Sequence, residues 1–236
     1  MSTLPKGGWI LKHLVIIRFN YPETNKYYDL RHRILREICL GSLEKQTNKN
    51  FEILIASNET FQGYKTIPLG DDVGRLGINK DTIRSFVAEH YPERPLITTR
   101  IDYDDAALPT YIDTIQRHVA GDGDYVIDVH SYTANIGTGS FFAHYRKNHL
   151  GSMFLSLVEQ GEEIKTALYF LHFRISQHYP IRKSKAPHCI YFIHPISFYG
   201  SRYLKDPRYN RGHERIPDEC KPYVEKWNEI VREIEK

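Results

Sequence analysis

The chain has 236 residues, with 32 Lys plus Arg against 29 Asp plus Glu, and its formal charge of +3 leaves no electrostatic footprint for a dedicated nucleic-acid binder. Hydrophobic residues make up 41%, enough for a sizeable core, yet no stretch approaches the ~20 apolar residues that span a bilayer, and the polar N-terminus lacks a secretory h-region. Cys39, Cys189 and Cys220 are too few and too scattered for a disulfide framework or a zinc clip, which points to a reducing compartment and a cytoplasmic protein.

His13-Leu-Val-Ile-Ile-Arg-Phe-Asn20 is a β-branched apolar run that reads as a buried strand stopped by Tyr21-Pro22. Asp29 is placed to cap a helix carrying Leu30, Ile34, Leu35, Ile38 and then Leu43. Phe51 to Ala56 is a second buried strand, so a βαβ unit is expected here, with a right-handed crossover. A loop from Gly70 to Gly77 follows, then a helix with Ile83, Phe86, Val87 and His90, and then a strand from Pro95 to Ile101. That strand runs into Asp102-Tyr-Asp-Asp105, after which Leu108, Ile112, Ile115 and Val119 mark a helix with Pro109 in its first turn. Tyr125 to Val129 opens another strand. The alternation is that of a mostly parallel sheet covered by helices.

The second half is less regular. Tyr132 to Tyr145 suits hairpin strands or a binding loop, while Thr166 to Ile175 is a strand candidate that could equally be helical. Cys189 to Ile193 reads as a strand, Lys183 to Pro187 as an exposed loop, and Tyr199 to Arg215 as a lid or tail. Val224, Trp227, Val231 and Ile234 repeat at helical spacing. No internal repeat or linker divides the chain, so one domain over 1–236 is expected, with a C-terminal extension or helix from about 200.

Ligands in open α/β sheets bind outside the carboxyl ends of the strands. Three carboxylates within four residues at such an end repel one another unless protons or a cation neutralise them, and hard oxygen ligands suit Mg²⁺ or Mn²⁺ with phosphates completing the shell. Helix capping is the competing role, above all for Asp105. Gly70 to Gly77, with Arg75, is neither a Walker A loop nor a dinucleotide fingerprint. His172, His178, His188 and His194 form no HExxH motif.

The order of these elements resembles the GT-A glycosyltransferases, and more narrowly the rhamnosyltransferase-like group. The resemblance rests on four features spread over roughly residues 12 to 180: Arg18-Phe19-Asn20 closing the first strand, Ser42-Leu-Glu-Lys-Gln-Thr47 before the second, Arg100-x-Asp-x-Asp-Asp-Ala106, and Phe154-Leu-Ser-Leu-Val-Glu159. It implies a GT-A fold, a UDP-, GDP- or dTDP-sugar donor, Mn²⁺ or Mg²⁺ beneath the diphosphate, and sugar transfer, rhamnose included, to a hydroxyl of a glycan. On this chain Asp104 would hold the metal with Asp102, which would also meet the nucleotide. His172 or His178 would add a further ligand. Arg18, Phe19, Asn20, Asn58, Arg100 and Asp105 would contact or support the donor, and Glu159 would be the general base. A metal-dependent phosphoesterase or nuclease and a non-catalytic carbohydrate-binding module are the competing functions.

Overall fold

The computed structural model describes residues 11–234 except 22, 71–79, 145–153, 170–173 and 197–213. Among these residues nine strands form one mixed sheet: β1 (Lys12–Arg18), β2 (Glu52–Ala56), β3 (Lys65–Ile67), β4 (Leu96–Asp102), β5 (Ala106–Ala107), β6 (Tyr125–Asn135), β7 (Ser140–His144), β8 (Leu155–Glu159) and β9 (Ile181–Ile193). Their order is β3-β2-β1-β4-β8-β6-β9-β5, with β7 paired to β6. β3, β2, β1 and β4 are parallel, β8 runs against both of its neighbours, and β6 and β9 return to the direction of β4.

The period-2 alternation of β1 separates two core layers. Val15, Ile17 and Phe19 face a helical run made of α1 (Tyr28–Ile34), a π-helical stretch at Leu35–Leu40 and α2 (Gly41–Glu44). Leu14 and Ile16 face α3 (Lys80–His90), whose Ile83 and Val87 are buried against them. α4 (Tyr111–Arg117) and α5 (Lys221–Ile234) join the first layer through Ile112, Ile115, Val224, Trp227 and Ile230. The C-terminal helix thus shares the main core.

Several expectations need correction. Asp29 lies inside the first turn of α1, where its charge suits the helix dipole, while Tyr27 occupies the cap without a side-chain bond. Lys183 to Pro187 is not a loop but the middle of β9, paired to β6 across two register shifts. Ser184 repairs the bulge, accepting from the His130 amide at 3.0 Å and donating to the Ala186 carbonyl at 2.9 Å. Thr166 to Ile175 forms no strand among its described residues; Thr166 takes a left-handed φ of 68° and a short 3₁₀ turn occupies Ile175–Gln177. His172 and Arg75 lie outside the described residues, as do most of the Gly70–Gly77 loop and most of the 199–215 segment.

Candidate active site

The acidic motif is held in place by the element that precedes it in the sequence resemblance. Ser42 Oγ donates to the Cys39 carbonyl at 2.6 Å and accepts from the Ala107 amide at 3.0 Å. Gln46 is almost wholly buried; its Nε2 donates to the Leu108 carbonyl at 2.8 Å and its Oε1 accepts from the Ile112 amide at 3.0 Å, capping α4. The Thr47 amide donates to the Pro109 carbonyl at 2.8 Å. Ser42, Gln46 and Thr47 therefore anchor residues 107–112, directly downstream of the three aspartates.

Each aspartate then meets a different environment. Asp102 accepts from Arg18 Nη2 at 2.7 Å and from Arg100 Nη2 at 3.2 Å, and the two guanidinium groups overcome burial to hold its carboxyl well below the usual range. It is a paired counter-ion, held by two arginines. Asp105 is 1% exposed, and burial followed by the charges of Asp104 and Asp102 pushes its carboxyl well above the ordinary value. Its Oδ1 accepts from the Phe192 amide at 3.0 Å, so it ties the motif to β9. Asp104 meets His194, with Nε2 and Oδ2 2.9 Å apart.

The sequence offers His172 and His178, rather than His194, as the additional ligand. Two facts bring His194 in. β5 pairs antiparallel with β9 through Ala106↔Ile190 and Ala107↔Cys189, which lays the end of β9 against the acidic turn. His194 also follows the carboxyl end of a strand parallel to β4, the same rule that singled out the aspartates. Its ring is fully buried and stacks on Trp227 of α5, centroids 4.5 Å apart and planes inclined by 29°. Among the described residues its Nδ1 has no hydrogen-bond partner.

His178, by contrast, is exposed and lies between the 3₁₀ turn and the start of β9, where Ile181 pairs with Val126 near the amino ends of the strands. It is not brought to the site. Nor is Glu159. β8 is antiparallel to β4, so Glu159 pairs with Leu96, six residues before Asp102, or roughly 20 Å away at about 3.3 Å per residue. Its carboxylate is buried against Thr98 Oγ1 at 3.4 Å and the amides of Lys165 and Thr166. The assignment of Glu159 as base is therefore corrected; it is a buried anchor for the turn after β8.

Burial pushes the Glu159 carboxyl up from the usual 4.5 to about 7. Folding then takes up a proton between those values, so the contribution is full below about pH 4.5 and fades as pH rises through 7. Glu159→Gln should flatten this decline, gaining on the order of 2–3 kcal/mol at pH 8 while leaving any turnover unchanged. Urea midpoints at pH 5 and pH 8 measure it, and a variant as pH-sensitive as the wild type would refute it.

At the end of β1, Arg18 reaches the site but Phe19 does not. Phe19 is fully buried, with ring centroids of His32 at 4.6 Å and of Tyr21, Phe61 and Tyr103 each at 5.6 Å. It is a core residue without a donor-facing surface. Asn20 is half-buried just beyond the strand. Asn58 spends its amide on the backbone, donating to the Gly70 carbonyl at 2.9 Å and accepting from the Leu69 amide at 3.2 Å, so it shapes the exit of β3. Beside the site, Arg31 lies over the Tyr21 ring, Tyr21 meets the Tyr103 ring edge-on, and Trp227 carries His194; only Tyr103 falls within a motif of the sequence.

Neither a protein-family profile nor a curated protein sequence matches this chain. Solved structures do. S. aureus TarS, residues 1–349, superposes with a TM-score of 0.50 at 13% identity, covering 92% of this chain and 71% of that one. The same TarS fragment in complex with UDP-GlcNAc gives a TM-score of 0.51 at 13% identity, covering 92% and 72%. No helix among the described residues is long and apolar enough to cross a membrane. The chain has the mixed α/β, GT-A-like fold of these TarS structures.

Proposed function

We propose that this chain is a nucleotide-sugar glycosyltransferase that moves a sugar from a UDP-, GDP- or dTDP-linked donor to a hydroxyl of a glycan, with Mn²⁺ or Mg²⁺ beneath the donor diphosphate. The observation that carries the reading is the Asp104–His194 pair, placed at the carboxyl ends of two co-directional strands in a TarS-like sheet. An imidazole nitrogen beside a carboxylate oxygen is a donor set that fits Mn²⁺ better than Mg²⁺. Among the described residues no three His, Cys, Asp or Glu side chains converge on one point, so two protein ligands would leave positions for phosphate oxygens.

When bound, the cation supplies charge stabilisation to the departing nucleoside diphosphate. The chain's own groups act around it. Arg18 and Arg100 balance the negative charges of Asp102 and Asp104, so the positive charge of a cation held at Asp104 would be left to favour an anionic donor at the end of β1. Asp105 fixes the register of β9 against the motif, and Ser42 with Gln46 fixes the motif against α4. TarS has been solved with UDP-GlcNAc, and the motif order resembles a rhamnosyltransferase-like group, so UDP-GlcNAc and dTDP-rhamnose are the first donors to test.

The test is a thermal-shift panel of UDP, GDP and dTDP with and without Mn²⁺, followed by turnover of the matching sugar donors. One nucleotide should stabilise the protein in a metal-dependent way, by about 2.7 kcal/mol at 100 times its dissociation constant. Phosphate release from generic esters without base preference would establish a phosphoesterase instead. Glycan binding that needs neither metal nor nucleotide would establish a binding module.

A further inference from the structure

We infer that Arg31 is a positioning residue that holds Asp104 and His194 face to face. Its functional meaning rests on the reading of that pair as a cation site; its geometry does not. From α1, the Arg31 guanidinium donates through Nη1 to the Tyr103 hydroxyl and through Nη2 to the Ile196 carbonyl at 2.7 Å. Tyr103 immediately precedes Asp104, and Ile196 lies two residues beyond His194. On the other flank Asp105 immediately follows Asp104, and its carboxylate accepts from the Phe192 amide, two residues before His194. The pair is thus bracketed on both sides. One bracket is a direct bond from the turn after β4 to β9, and the other is a single side chain reaching in from a helix.

Energetics favour a positioning role over mere packing. Arg31 is 6% exposed, and its charge lies over the Tyr21 ring at 4.0 Å. Among the described residues its hydrogen-bond partners are neutral oxygens, a phenol and a carbonyl. A buried guanidinium without a carboxylate is a costly way to fill a core, where an apolar side chain would do better. What an apolar residue cannot do is span two acceptors on separate chain segments. The planar fork of arginine can, and lysine, a point donor, cannot do both.

The experiment titrates Mn²⁺ alone into the full chain, for wild type, Asp104→Asn, Arg31→Met, Arg31→Lys and Tyr103→Phe, and records the imidazole nitrogen signals of His194 without metal. Arg31→Met should weaken Mn²⁺ binding by about 10–100-fold, as loss of a ligand-orienting partner does, with Arg31→Lys intermediate. Tyr103→Phe, the gentlest change, should weaken it several-fold and carries the test if Arg31→Met does not fold. The His194 Nε2 signal should move in each of these variants. Ile83→Ala, in the opposite core layer, should lower the melting temperature without touching either readout. Tight binding in wild type, loss in Asp104→Asn and wild-type behaviour in Arg31→Met and Tyr103→Phe would overturn the positioning role. Absence of Mn²⁺ binding in wild type would overturn the cation reading instead, and an unmoved His194 signal in the Arg31 and Tyr103 variants would then overturn the bracket as well.

Discussion

Asp104→Asn should lower sugar transfer by about 10²–10⁴-fold while leaving the protein folded. Asparagine keeps the shape and still accepts a hydrogen bond from His194, so the 2.9 Å contact can persist while the anionic ligand is lost. Removing this charge also relieves Asp105, whose buried carboxyl is pushed up partly by Asp104, so the melting temperature should hold or rise. His194→Gln should cause a loss of similar size, and the double variant should be little worse than either alone, because the two residues would act as one unit. Donor turnover with added Mn²⁺, scored beside thermal melts, measures all three. Full activity in Asp104→Asn, or undiminished activity in a chelator, would refute the metal assignment.

Phe19→Ala should act in the opposite way, costing stability and sparing the site. A fully buried Phe ringed by His32, Tyr21, Phe61 and Tyr103 leaves a cavity that its neighbours cannot fill, at ~3–5 kcal/mol. For a chain of this size that corresponds to a fall in melting temperature of roughly 10 °C. Nucleotide affinity measured well below the new midpoint should change only a few-fold. An unchanged urea midpoint with selectively weakened nucleotide binding would return Phe19 to the donor pocket.

The first half of the fold was legible because its strands are apolar runs and its helices keep a 3.6-residue stripe. The core faces of β1, β2 and β4 follow directly from His13–Phe19, Phe51–Ala56 and Leu96–Ile101. β5 escaped notice because two alanines carry no periodicity, yet that short strand brings His194 to Asp104. Lys183 to Pro187 looked like a loop because exposed lysines flank the buried Ser184, a pattern that a bulged strand also permits. Glu159 was misplaced for a topological reason. Sequence shows that an apolar run ends in a carboxylate, but not that β8 runs against β4 and carries this end away from the site. Arg31 left no signal at all, since its meaning lies in two acceptors far along the chain.

Trp227 has a temporal consequence. A nascent chain that has emerged as far as Ile196 has delivered Asp102, Asp104, Asp105 and His194, and every described strand of the sheet, but not the indole on which His194 rests. α5 must still arrive and settle on α1 and the π-helical stretch that follows it, where Arg33 meets Glu229 and Glu233, and Lys226 meets Glu37. The order of synthesis therefore makes the Asp104–His194 pair one of the last parts of the described structure to mature. A chain released before α5 would carry the aspartates and the imidazole but lack the indole against which His194 packs.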